Sequence, residues 1–203
     1  MVPLLHLKES DSDIIKYILG ELLRNMIEHS FSETGAIVSA KYYQKTNRIS
    51  LAICDSGIGL RRSLNIWHPT SDTKAIELAL LPGIAGTTHK EGGTADNAGA
   101  GLFFVKSMAK NSRSRFLIYS GTSAYTLLKT RTDQKTPTLN PNPFSDHHQL
   151  LENAPNWQGT LVAIDISLDE TPEFREMLKK IGDVYESAIR ERKKTLYRKP
   201  NFI

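Results

Sequence analysis

Cysteine is almost absent: the 203 residues contain one, Cys54. An internal disulfide and a cysteine-cluster metal site are both excluded. Long apolar runs are absent too, and no stretch approaches the roughly 18 uncharged apolar residues of a membrane-spanning helix. Met1 to Lys8 show no basic lead followed by a sustained apolar stretch, so no secretory signal is visible and the expected compartment is the cytoplasm. What is present suffices for a globular core. Apolar residues make up 39% and charged residues 24%, which excludes disorder as the main state. The length suits one ordinary domain and is short for two.

A net charge of +4 and a pI near 9.1 suggest a nucleic-acid binder until the charge is located. Residues 190–199 hold six cations against Glu191 alone, a local +5 that leaves −1 on the rest of the chain. The basicity belongs to a tail, where it first serves to complement a helix C-terminus. Nucleic acid is expected only through that tail.

The spacing predicts a helix from Ser12 to Glu28. Ile14, Ile15, Ile18, Leu19, Leu22, Leu23, Met26 and Ile27 form one apolar stripe, with Ser10 or Ser12 as the cap. The other stripe carries Tyr17, Glu21, Asn25 and Glu28, and Glu21 and Asn25 share a face one turn apart. Residues 36–43 and 48–54 read as a hairpin around a four-residue turn, with Cys54 expected to pack inward. A short helix is expected over 72–81, capped by Ser71 and stopped by Pro82-Gly83.

Six of the 13 glycines fall between 83 and 101, a sign of mobile backbone or of close backbone approach. A helix is expected over 100–110. Strands are expected over 115–120 and 125–129. Residues 130–156 read as a long surface loop with His147 and His148 on it. Gly159-Thr160 opens an alternating strand to Ser167, and a last amphipathic helix starts at Thr171-Pro172 and runs to about 195.

Four features then follow in order, each with a use in one nucleotide site. A helix carries Glu21 and Asn25. A strand ends in Asp55-Ser56-Gly57-Ile58-Gly59. A glycine-rich stretch closes in Gly99-Ala100-Gly101-Leu102 at a helix start, and Gly159-Thr160 opens a strand. A carboxylate at a strand end accepts from an exocyclic amine. Glycines beside it admit a flat ring against bare backbone. Unpaired N–H groups at a helix N-terminus hold phosphate. An asparagine oxygen joins a Mg²⁺ shell, and a glutamate one turn away activates water. Taken singly, Glu21 and Asn25 read as a solvated helix face and Asp55-Ser56-Gly57 as a turn. In order they reinforce one another.

This series resembles the GHKL ATPase superfamily of gyrase B, Hsp-type chaperones, sensor histidine kinases and MutL, over about residues 12–167. Within it, the chain looks most like stand-alone bacterial ATP-binding proteins. The resemblance implies an α/β two-layer sandwich of the Bergerat type: a mixed, mainly antiparallel sheet with helices on one face. It implies an ATP-binding domain over 1–170, with a lid at about 61–98, and an appended helix and tail over 171–203.

The implied roles are Glu21 as general base, Asn25 as the Mg²⁺ ligand and Asp55 as the adenine-reading acid. Gly57 and Gly59 would back the ring, and Gly99, Gly101 and the Leu102 amide would hold phosphates. Thr160 would support the Asp55 side. The family's catalytic lysine lies in a second domain that is not visible here, and Lys90 or a partner would substitute for it. The expected function is an ATP-Mg²⁺-dependent switch with hydrolysis through Glu21. The alternatives are a serine/threonine kinase of the anti-sigma type, and a non-catalytic scaffold or nucleic-acid adaptor led by the tail. The implied partner is a protein: a client, an anti-sigma-antagonist-like protein, an effector or a second copy of the chain.

Overall fold

The computed structural model describes residues 9–86, 99–129, 137–169 and 173–196. The helices are α1 (Glu9–His29), α2 (Gly59–Ser63), α3 (Asp72–Leu80), α4 (Gly101–Asn111) and α5 (Phe174–Leu196). The strands are β1 (Ala36–Tyr43), β2 (Arg48–Asp55), β3 (Arg115–Gly121), β4 (Ser123–Leu127), β5 (His148–Leu151) and β6 (Trp157–Ser167). They form one six-stranded sheet in the order β1-β2-β6-β3-β4-β5. Among the described strands every pairing is antiparallel, so the expected mainly antiparallel sheet is borne out, without a parallel pair.

Strict alternation builds the sheet's inner face. Ile49, Leu51 and Ile53 of β2, Phe116 and Ile118 of β3, and Val162, Ile164 and Ile166 of β6 are all buried. Against them pack Ile14, Ile15, Ile18 and Leu22 of α1 and Phe103, Val105 and Met108 of α4. Each such side chain, fully removed from water, contributes about 1.5–3 kcal/mol. Cys54 follows Ile53 and so lies on the opposite face, half-buried, which corrects its inward placement. The α1 stripe is narrower than its periodicity suggests: Ile27 is 84% exposed. Nor is Ser12 a cap, because it sits buried inside the helix, which begins at Glu9.

Two segments that looked loose are packed. Residues 61–86 contain α3, whose Ala75, Ile76 and Leu80 are buried, and Ser71 caps it by accepting from the Lys74 amide at 3.1 Å. Of the expected lid over 61–98, residues 61–86 are described and carry α3, and 87–98 lie outside the described residues. The presumed loop over 130–156 contributes β5 and the buried residues Leu139, Asp146 and Ala154. Its His148 stacks on Tyr125 and Phe144 rather than standing free on the surface.

α5 packs on α1 and α4 through Tyr185 against Phe103 and Phe104, and through Phe174 against Tyr17. From the basic stretch, Arg190 pairs with Glu186 and Arg192 donates to the Pro82 carbonyl at 3.0 Å. Lys193 and Lys194 are exposed, while Arg198 and Lys199 fall outside the described residues. Among the described residues no helix is long and apolar enough to cross a membrane.

Candidate functional site

β6 is the last strand in sequence, yet it lies between β2 and β3. The antiparallel registers pair Cys54 with Leu161 and Ser120 with Thr160, which sets Asp55, Thr160 and Ser120 side by side at one end of the sheet. Gly159-Thr160 does not open the strand as expected. It lies two residues inside β6, beside a register shift at Ser120/Gly121. The cause is steric. Gly159 has φ +99°, and a methyl there would overlap the Asp55 carbonyl and come 2.7 Å from Asp55 Oδ1. Only glycine lets β6 pass so close. Gly159→Ala is expected to destabilise the fold by roughly 2 kcal/mol or more, checked by urea unfolding.

The Asp55 carboxylate is buried and held by backbone. Oδ1 accepts from the Gly57 amide at 2.7 Å, and the Thr160 amide also donates to the carboxylate. Burial pushes its pKa up, and those two amides pull the other way without cancelling the shift. Ser120, which no sequence motif flagged, links three segments: its hydroxyl donates to Gly159 O at 2.7 Å and accepts from the Leu60 amide at 3.0 Å. Gly57 is pressed against the Ser30 carbonyl rather than lining the cleft, while Gly59 does line it.

The second half of the site is the meeting of α1 and α4. A methyl on Gly101 would sit 2.6 Å from Glu21 Oε2 and 3.3 Å from Asn25 Nδ2, so the N-terminus of α4 abuts both side chains. Those first amides have no partner one turn back. Asn25 Nδ2 is buried and has no hydrogen-bond partner. Glu21 has a 14% exposed side chain and accepts a bond from Arg24 Nη2.

Between the halves lies a cleft of about 200 Å³. Of the residues singled out in the sequence, Glu21, Asn25, Asp55, Gly59, Gly99, Gly101, Leu102 and Thr160 line it, and Gly57 stands just behind. Lys90 lies outside the described residues. The walls add Leu22, Met26, Leu60, Leu64, Ile84 and Val162, an apolar slot suited to a flat ring.

The lining also includes Tyr17, Arg24, Glu28 and His29, given no role beforehand although Tyr17 and Glu28 fall on the polar stripe of α1. Burial pushes the Tyr17 phenol well up and the His29 imidazole down, the latter against the opposing pull of Glu28 3.7 Å away. Tyr17 therefore stays protonated and His29 is biased toward its neutral form. With Glu21, Glu28 and Asp55 against Arg24, the cleft carries excess negative charge. A polyanion would enter with a divalent cation. Among the described residues no cluster of three His, Cys, Asp or Glu forms a metal site. The unpartnered Asn25 Nδ2 is a donor that fits a ligand oxygen, and the bare Gly101 backbone leaves room for one beside it.

No protein-family model and no curated protein matches the chain. Among solved structures, it aligns with the 43K ATPase domain of Thermus thermophilus gyrase B bound to an aminocoumarin. That match has 14% identity and a TM-score of 0.37, over 79% of this chain and 36% of that one. The ATPase region of Saccharomyces cerevisiae topoisomerase II aligns at 11% identity and a TM-score of 0.40, over 86% of this chain and 42% of that one. The chain thus spans less than half of either protein. Likenesses this loose leave the activity to be read from the site.

Proposed function

We propose that the chain is an ATP-binding domain of the GHKL type that takes ATP with Mg²⁺ and hydrolyses it through Glu21. The observation that carries this reading is the convergence of all four sequence boxes. Eight of their residues, drawn from α1, β2, α2, α4 and β6 and the turn before α4, line one cleft.

Asp55 accepts from the exocyclic amine of adenine while the Gly57 and Thr160 amides hold its carboxylate in place. The apolar slot takes the ring. The N-terminus of α4, at Gly101-Leu102, receives phosphate oxygens. Asn25 is the side chain that would join the Mg²⁺ shell, and the metal supplies charge neutralisation on the phosphates. Glu21 takes the proton of the attacking water. Nucleotide in this cleft touches both α1 and the α4 start, so its presence alters the surface offered to a protein partner. Hydrolysis resets that surface.

The test is ATP titration with product analysis on the wild type and on Glu21→Ala. Binding should be retained within about threefold while turnover falls by a factor of about 100 or more. Unchanged turnover would remove Glu21 from the mechanism. Label appearing on a partner protein instead of as free phosphate would favour the kinase alternative.

A further inference from the structure

Arg24 fills an unspecified position between Glu21 and Asn25 and was given no role, yet it lines the cleft and its Nη2 donates to Glu21 Oε1. The other carboxylate oxygen, Oε2, faces the backbone of Gly101, where an added methyl would come within 2.6 Å. One oxygen of Glu21 is thus held by Arg24 and the other is presented to the start of α4. An i,i+3 pair on an open helix face contributes a few tenths of a kcal/mol and fixes nothing. This pair differs because Glu21 is 14% exposed while Arg24 is 48% exposed. The carboxylate is enclosed, and the guanidinium reaches in from solvent to meet it. Without Arg24, no other protein bond to Glu21 that the structure describes would fix the carboxylate's rotation. Tyr17, one turn earlier and also in the cleft, is a protonated phenol and supplies no positive charge.

Resting on the ATP-hydrolysis reading above, we propose that Arg24 is a positioning residue that fixes Glu21 with Oε2 aimed at the phosphate-holding end of the cleft. In the step it serves, the water oxygen bonds to the γ-phosphorus and the bridging P–O bond breaks with ADP as leaving group. The water proton passes to Glu21 Oε2. Arg24 touches none of the reacting atoms.

A kinetic double-mutant cycle tests this on the full chain, with Arg24→Met, Arg24→Lys, Glu21→Gln and the double variant Arg24→Met/Glu21→Gln. ATP affinity is measured on each by titration. Arg24→Met is expected to lower kcat about tenfold while ATP affinity stays within about twofold, and Arg24→Lys to recover part of the loss. In the Glu21→Gln background Arg24→Met should do nothing further, because the oriented group is already gone. An unchanged kcat in Arg24→Met would make the pair a surface ornament and overturn the proposal alone. A fall in affinity as large as the fall in kcat would overturn it as well, by showing that Arg24 binds phosphate directly. Absence of turnover in a wild type that still binds ATP would overturn hydrolysis, and Arg24's role with it. Absence of binding would remove the ATP reading itself.

Discussion

Replacing Asp146 with alanine is expected to cost about 3–5 kcal/mol of stability, the range for leaving a buried charge without its partner. Lys106 Nζ donates to Asp146 Oδ2 at 2.8 Å and to Asn140 O at 3.0 Å, and Lys110 Nζ donates to Asp146 Oδ1. The Lys106 side chain is 1% exposed and that of Asp146 0%. Two α4 cations therefore meet one carboxylate, which Asn140 Nδ2 also reaches at 2.8 Å. Together they clamp residues 140–146 to the helix whose N-terminus abuts Glu21 and Asn25. Lost stability should read out in urea unfolding.

The pH dependence has a definite sign. Burial pushes the Lys106 pKa down, and Asp146 opposes that shift. An unfolded lysine then binds its proton more tightly than the folded one. Stability thus rises with pH between the lowered folded value and the ordinary lysine range. Asp146→Ala removes the opposing pull and lowers the folded value further, so its rise of stability with pH should begin at a lower pH than the wild type's. An equal onset would show that the cluster is not electrostatically coupled.

Asp55→Asn is expected to reduce ATP affinity about 100-fold, because a site built around an acceptor for the adenine amine would present a donor in its place. Folding should survive. Burial has already raised the Asp55 pKa, so the charge is carried at a cost that the neutral amide removes, and stability should be unchanged or higher. That contrast separates a ligand-reading acid from a structural one. In the wild type the same shift sets a pH dependence. The folded carboxyl holds its proton above the usual carboxylate range, and affinity should fall as pH drops through that raised value. It should be full above it. A titration series across the acidic range measures this, and Asp55→Asn should flatten it.

Much of this was legible in the sequence because it is local. The paired periodicity of Ile14 to Met26 gives α1, and the turn residues 44–47 give the hairpin that the structure shows as β1 and β2. Ser71 and Pro82-Gly83 bound α3 within a residue or two. The boxes could be read because each is a short run whose spacing matches one element. What was misread depends on contacts between distant segments. Asp146 reaches lysines 36 and 40 positions away, and no local pattern announces that the segment around it folds onto α4.

The resemblance implies a lid from 61, and within it Ala75, Ile76 and Leu80 bury one side of α3 and hold that segment on the sheet. Ser120 was invisible for a different reason. A lone serine in a strand has no signature, and its role comes from β6 entering the middle of the sheet. Cys54 was readable after all, since the alternation of Ile49, Leu51 and Ile53 already turned it to the outer face.

We propose that the cleft between α1, α4 and the Asp55 end of the sheet takes ATP with Mg²⁺. Calorimetric titration of a non-hydrolysable ATP analogue with Mg²⁺ into the wild type and Asp55→Asn tests it most directly. Saturable one-to-one binding to the wild type and its near loss in a folded Asp55→Asn are expected. No binding to the folded wild type, or equal binding to both proteins, would contradict it.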